Sequence, residues 1–414
     1  MKPDSTEKSQ YQSAKNIPAR TQAIVVGIDF HDTLFDDRLS EAVELVTSAG
    51  ASVAATVSAK RAKPDAATFA GSGKIEELAA CVAEHDANLV VFNHQLSPIQ
   101  IRNIEKLVNV RVIDRTDLIL DIFAQRARSA EGKWQVELAQ MQHLMTRLIR
   151  GWTHLERQRG GIGVRGGPGE TQLEMDRRLI GDRIKRLKEK LQKLGKQRVT
   201  QRASRKRAGV FNVSIVGYTN AGKSTLFNRM TRSASYVADK LFATLDTTTR
   251  KLYIEPGIHV AMSDTVGFIR DLPHGLVASF HATLTEAMEA DLLIHVVDAA
   301  NPMRDEQIKD VNLVLTEIGA EHIPQVVAYN KIDRLDGMPW GSILRDESGK
   351  IRECRLSALQ GIGITELRET IKEYGLEDQA NKAVERASRE DSIEQEEMHK
   401  KNALAGLVFE SVAQ

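Results

Sequence analysis

Eight consecutive residues, Gly217-Tyr218-Thr219-Asn220-Ala221-Gly222-Lys223-Ser224, carry the glycine spacing, lysine and terminal hydroxyl of a phosphate-binding loop. The chemistry needs these types. Gly217 and Gly222 permit a turn whose backbone N–H groups face inward on phosphate oxygens, beside a helix N-terminus. Lys223 is placed to reach the β- and γ-phosphates, and Ser224 offers a hydroxyl to Mg²⁺. The alternative is a glycine turn that happens to contain a lysine. An apolar strand pattern before Gly217 and a helical one after Ser224 argue against it.

That loop does not choose between nucleotides; a second string does. Asn330-Lys331-Ile332-Asp333 follows another strand pattern, 107 residues after Lys223. A carboxylate at Asp333 can accept both the N1–H and the 2-amino N–H of guanine. Adenine has neither donor, so it would leave a desolvated carboxylate unpaired, and sites of this kind discriminate by ~10⁴–10⁵. Asn330 braces the loop and meets the base edge in this reading. Ser357-Ala358-Leu359, after the next strand, can present backbone N–H groups to the guanine O6.

Asp264-Thr265-Val266-Gly267 closes the expected site. Asp264 ends a strand and can hold Mg²⁺ through water, while the Gly267 N–H can meet the γ-phosphate. Both contacts are lost with that phosphate, which is how a switch segment is released. The remaining Mg²⁺ ligand should be a threonine, and Thr244, Thr247, Thr248 and Thr249 all lie in the right stretch. Spacing does not choose among them.

These residues need a scaffold, and 414 residues exceed one ordinary core, so two or three domains are expected. Residues 1–20 are polar and lack the apolar centre of a secretory signal; they read as a disordered tail. Residues 21–115 alternate strand patterns (23–28, 52–57, 88–92, 110–113) with helical ones (39–49, 74–84, 99–107), which predicts a small, mostly parallel α/β domain. Residues 116–208 differ. Trp134, Leu138, Met141, Met145 and Leu148 form one heptad-spaced seam, and Ile180, Ile184, Leu187, Leu191 and Leu194 form another. Between them, six of the ten residues 160–169 are glycine. The pattern predicts a long antiparallel helical hairpin with a glycine-rich tip. Residues 209–376 resume strand–helix alternation as a doubly wound, mostly parallel sheet, which binds ligands beyond its strands' carboxyl ends. Residues 377–414 are a charged tail, with nine acids against five bases.

The net charge of +1 hides one strong asymmetry. From Arg177 to Arg207 there are fourteen Lys or Arg against two acids, which marks the second hairpin helix as the segment for a polyanion. Arg157, Arg159 and Arg165 near the tip, and Arg202, Arg205, Lys206 and Arg207 at the far end, are the expected RNA contacts. The bland reading is a solvated coiled coil. Cys81 and Cys354 match no metal or disulfide spacing and read as small buried residues. Gly71-Ser72-Gly73-Lys74 lacks the first glycine of a second phosphate loop and reads as a helix start. No run is long and apolar enough for a membrane span.

Taken together, these motifs resemble a translation-factor-class P-loop GTPase, and the wider chain resembles the HflX family of ribosome-associated GTPases. The matching strings are GSGKIEEL (71–78), LILDIFAQR (118–126), QVELAQM (135–141), GGPGETQLE (166–174) and LFATLD (241–246). The resemblance implies that Thr244 is the switch ligand of Mg²⁺, within a nucleotide-binding segment Phe242-Ala243-Thr244-Leu245-Asp246. It implies the large ribosomal subunit and its rRNA as partner, a cytoplasmic, ribosome-associated place, and GTP-controlled splitting or rescue of ribosomes under stress. A monomer is expected. Thr247 departs from the family, which usually has proline there. Phe268 also stands where many GTPases carry a water-orienting glutamine. No catalytic side chain is therefore assigned, and slow hydrolysis stimulated by ribosomes is expected. The competing readings are a ribosome-assembly factor whose GTP cycle only controls residence, and a signalling GTPase.

Overall fold

The computed structural model describes residues 21–158, 172–232, 241–242, 244–256, 258–270, 281–335, 341–384 and 388. For residues 148–158, 172–173, 201–202, 206 and 281–283 it describes the backbone alone. The 1–20 tail, the glycine-rich tip and all but one residue of the chain beyond 384 lie outside the described residues.

The first unit is a four-stranded parallel sheet in the order β2-β1-β3-β4, built from β1 (Gln22–Asp29), β2 (Ser52–Lys60), β3 (Leu89–Phe92) and β4 (Arg111–Asp114). Its helices are α1 (Phe35–Ser48), α2 (Ser72–Glu84), α3 (Pro98–Val108) and α4 (Arg115–Arg126). Side chains alternate across β1. Ala23 and Val25 pack with Leu45 of α1 and Ile119 of α4, whereas Ile24, Val26 and Ile28 pack with Leu78 of α2 and Ile104 of α3. Burial on both faces explains the unbroken apolar run of the strand. Ser97 and Gln100 form a capping box at α3, with Pro98 in its first turn.

Two differences from the sequence reading matter. The helix at 115–126 was grouped with the hairpin, but Leu118, Ile119, Ile122 and Phe123 are buried in the cluster that covers the first sheet. Cys81 is only half-buried, while Cys354 is buried as expected.

α5 (Ala130–Gln158) and α6 (Gln172–Arg207) follow. Ion pairs join Glu131 to Arg198 and Glu137 to Arg183, each at 2.6 Å, and Lys190 lies over the Trp134 ring. Partners later in α5 meet residues earlier in α6, so the helices run antiparallel. Ile180 and Leu187 face the seam and are buried, whereas Lys185, Arg186, Lys188, Lys193 and Lys196 are exposed.

The second sheet has seven strands in the order β10-β11-β9-β8-β5-β7-β6. They are β5 (Phe211–Gly217), β6 (Thr248–Tyr253), β7 (His259–Asp264), β8 (Leu292–Asp298), β9 (Gln325–Asn330), β10 (Ile343–Arg345) and β11 (Ile351–Arg355). β6 runs antiparallel to β7 and β10 antiparallel to β11; the other neighbours are parallel. The chain leaves β5 in one direction for β7 and returns on its other side for β8, which makes the end of β5 the topological switch point. Around the sheet lie α7 (Lys223–Thr231), α8 (His281–Met288), α9 (Arg304–Glu317) and α10 (residues 364–384). The strand β10 was not anticipated, and α10 continues beyond residue 376 into the segment read as a tail.

Candidate functional site

Gly217 ends β5 with φ 146°, and a Cβ there would lie 2.2 Å from the Val296 carbonyl oxygen of β8. Only glycine lets the loop leave the sheet at this point. Gly222, at φ 95°, would bring a Cβ 2.2 Å from the Asn330 amide nitrogen. Between these glycines the loop turns into α7, as required for backbone N–H groups to surround phosphate.

Lys223 is buried, and its Nζ donates to the Tyr218 carbonyl at 2.6 Å. Burial pushes its pKa down to about 8, against the pull of Asp264; Lys331 depresses it further. A desolvated ammonium at the N-terminus of α7 is suited to an anion.

Thr244 is the threonine that the structure brings to the metal side. Ser224 Oγ lies 2.6 Å from Thr244 Oγ1 and donates to Asp264 Oδ2 at 2.7 Å; Thr244 Oγ1 donates to the same oxygen at 3.1 Å. Thr249, by contrast, pairs with Ser263 at 2.8 Å. Burial raises the Asp264 carboxyl above the usual range, opposed by the Ser224 hydrogen bond and by Lys223. Its Oδ1 is buried without a partner. Three clustered hard oxygen donors and an unsatisfied carboxylate oxygen fit Mg²⁺, which Ser224, Thr244 and Asp264 would hold and which would supply charge neutralisation to a phosphate.

Gly267 adjoins this cluster: a Cβ on it would meet Thr219 Cγ2 at 2.9 Å and Lys223 Nζ at 3.0 Å. Gly267 thus lies directly against Thr219 and Lys223 of the phosphate loop. Thr265 donates to the Ile215 carbonyl at 2.7 Å, tying the segment to β5, and Val266 is buried in the core.

On the base side, Asn330 joins two loops. Its Nδ2 donates to the Ala221 carbonyl and its Oδ1 accepts from the Ala358 N–H, both at 2.9 Å. Asp333 Oδ1 is buried with no hydrogen-bond partner and so is open to a donor from a ligand. Lys331 stands in the left-handed region at φ 63° and pairs with Asp298 at 2.7 Å. Ile332 is fully buried and serves as packing.

Several expectations are corrected. The Ser357 N–H is taken by the Ile362 carbonyl and the Ala358 N–H by Asn330, so Leu359 offers the N–H that these bonds leave over. The side chains of Phe242 and Leu245 pack in the core, Phe242 standing edge-on to Phe123 with centroids 4.7 Å apart. Asp246 turns away from the site: its Oδ2 accepts from the Arg128 and Ser129 N–H groups at 2.9 Å. Ala243 lies outside the described residues. Phe268 is buried in the core.

The side chains of Arg157, Arg159, Arg165, Arg202 and Lys206 also lie outside the described residues. Arg205 is engaged by Glu286 at 3.3 Å, and Arg207 is exposed with its Nε on the Ala203 carbonyl. No helix among the described residues is long and apolar enough to cross a membrane.

The sequence reading missed a group from the first unit that reaches the phosphate loop. The Tyr218 hydroxyl donates to Glu41 of α1 and accepts from the Arg270 N–H at 2.9 Å. Arg115 binds Glu41, Asn93 and the Arg270 carbonyl. With Glu41 and Tyr218 177 positions apart in the chain, no local pattern could have shown this.

Comparison with known proteins places these features. Three family models match in succession: GTP-binding GTPase N-terminal (residues 36–124), GTP-binding GTPase Middle Region (126–205) and 50S ribosome-binding GTPase (212–331). The chain is 52% identical over 355 residues to GTPase HflX of Escherichia coli, covering 86% of this chain and 83% of that one. It is 50% identical over 329 residues to GTPase HflX of Magnetococcus marinus, covering 80% and 76%. A GTP-binding protein from Sulfolobus solfataricus, solved with GDP, is 23% identical with a TM-score of 0.45, over 86% of this chain and 99% of that one.

Proposed function

The chain belongs to the HflX family of GTPases, and from that premise we propose that it docks on the large ribosomal subunit and uses its GTP state to split or rescue ribosomes. The site is built for guanine nucleotide hydrolysis with Mg²⁺, so GTP and water yield GDP and phosphate. The observation that carries the ribosomal reading is the charge of α6. Lys185, Arg186, Lys188, Lys193 and Lys196 are exposed and Ile180 and Leu187 are buried, while Arg183, Arg198 and Arg205 pair with Glu137, Glu131 and Glu286. A stripe of Lys and Arg with two acids over 31 residues is the footprint of a phosphate backbone. The description of the third family model, a 50S ribosome-binding GTPase, supports the large subunit as the source of that RNA.

Phe268 offers the attacking water no hydrogen bond, so turnover alone is slow and the partner completes the site. The protein acts in the cytoplasm, where its partner is.

The test is co-sedimentation of the protein with ribosomes in GTP-analogue and GDP states, alongside light scattering of intact ribosomes after addition of protein and GTP. Analogue-dependent binding with a fall in scattering supports splitting or rescue. Binding without a fall supports an assembly factor instead. Binding to vesicles but not to ribosomes supports a signalling GTPase and overturns the proposal.

A further inference from the structure

Asp246 lies two residues after Thr244, the threonine of the Mg²⁺ cluster, yet its carboxylate is spent on a different unit. Oδ2 accepts from the N–H groups of Arg128 and Ser129 at 2.9 Å, and Oδ1 accepts from Ser129 Oγ at 2.5 Å. Ser129 Oγ in turn accepts from the Gly132 N–H at 2.9 Å. Arg128 and Ser129 immediately precede Ala130, where α5 starts, so the carboxylate sits at the positive end of that helix while Ser129 Oγ caps its first turn. The same stretch is fastened twice more, by Phe242 against Phe123 and by the Leu241 N–H on Ser48 Oγ at 3.1 Å.

Gly132 shows that the space is reserved. A Cβ on it would lie 2.2 Å from Asp246 Oδ1, although nothing in a helix's first turn otherwise calls for glycine.

We propose that Asp246 is a positioning residue: by clasping the root of the hairpin it holds Thr244 where Mg²⁺ and the γ-phosphate need it, so the GTP state and the seating of α5 control each other. It touches neither nucleotide nor metal. Thr244 has a phosphate-dependent contact only while the γ-phosphate is present. Preference for GTP over GDP is therefore supported from outside the pocket, and by linkage bound GTP tightens the hairpin root in equal measure. A force on the arm that opens the clasp withdraws Thr244. This rests on the GTPase reading but not on the ribosomal one.

The experiment measures the affinities of a non-hydrolysable GTP analogue and of GDP, with Mg²⁺ and without ribosomes, for Asp246→Ala, Ser129→Ala and Gly132→Ala. Gly132→Ala is the decisive variant. It favours the helix and lies outside the pocket, yet its methyl displaces the carboxylate. The analogue should bind roughly tenfold more weakly in Asp246→Ala and Gly132→Ala, with GDP affinity within about twofold of the parent. Ser129→Ala should give a smaller loss in the same direction. Amide exchange at Arg128 and Ser129 should be slower with the analogue than with GDP. If Gly132→Ala leaves the analogue-to-GDP ratio unchanged, or lowers both affinities equally, the coupling is absent, whatever becomes of Asp246→Ala. A parent that bound no guanine nucleotide would overturn the GTPase reading itself.

Discussion

Thr219 and Phe268 are joined through their backbones: the Thr219 N–H donates to the Phe268 carbonyl at 2.7 Å, while the Phe268 N–H donates to Gly217 at 3.1 Å. The segment after Gly267 is thus laid along the phosphate loop, and the Phe268 ring is sent into the core, where it is 2% exposed.

This predicts that Phe268→Gln does not rescue hydrolysis, although glutamine is the residue many GTPases use there. The new amide would enter an apolar cluster without partners, and the ring's packing would be lost, costing ~3 kcal/mol or more. Urea unfolding should show that loss, and single-turnover hydrolysis should stay at or below the parental rate. A faster, equally stable variant would mean that the side chain reaches the water after all.

How much of this was legible in the sequence depends on the range of the interactions. Gly217, Gly222, Lys223 and Ser224 act within one turn and one strand end, so their spacing alone carries their geometry. Asn330 and Asp333 were singled out by donor and acceptor chemistry, to which the structure adds the Asn330 bonds to Ala221 and Ala358. The choice of Thr244 over Thr249 was not in the spacing. It depends on β6, whose pairing with β7 commits Thr249 to Ser263. Asp246 entered the expected nucleotide-binding segment through the family string 241–246, but its carboxylate bonds Arg128 and Ser129. Its true partners are more than a hundred residues away. The helix Arg115–Arg126 was joined to the hairpin because its buried face lacks a clean period: Leu118, Ile119, Leu120, Asp121, Ile122 and Phe123 are all buried.

Base selectivity should invert by one substitution. Asp333→Asn exchanges two acceptors for one acceptor and one donor. Guanine's 2-amino group would then face an amide NH₂, whereas xanthine presents a carbonyl at that position and keeps its N1–H. Affinity should fall for GTP and rise for XTP, for a combined change on the order of 10³ or more in the ratio. Competition binding with the two nucleotides measures it, and an unchanged ratio would remove Asp333 from the base site.

Lys223 predicts a pH dependence of known sign. Its pKa in the free protein is pushed down to about 8 by burial. A lowered lysine pKa means that the folded chain holds this proton less tightly than the unfolded chain. The charged lysine therefore costs stability below about pH 8, and that cost is relieved as pH rises towards 10.5. Binding behaves oppositely, because phosphate favours the ammonium form. GTP affinity should be flat below about pH 8 and fall above it, approaching tenfold per pH unit, with proton uptake on binding. Calorimetry at about pH 8.5 in buffers of different ionisation enthalpy detects that uptake. Its absence would show that the phosphates do not engage Lys223.

Glu41 and Tyr218 should prove energetically coupled across the two units. Burial pushes the Tyr218 phenol far above its ordinary pKa, so it remains a donor to Glu41 at any working pH. The same carboxylate neutralises Arg115, whose side chain is only 8% exposed. Tyr218→Phe removes the donor and leaves the Arg270 N–H without its acceptor, at a cost of about 1–3 kcal/mol. Glu41→Ala costs more, about 3–5 kcal/mol, because it strands a buried guanidinium. In the double variant the Glu41–Tyr218 bond can be lost only once, so its destabilisation should fall short of the sum by about 1–2 kcal/mol. Glu41→Gln, which keeps an acceptor for the phenol but not the charge for Arg115, separates the two roles. It should retain the coupling to Tyr218 while losing stability. Strict additivity in the cycle would mean that the first unit rests against the phosphate loop without gripping it.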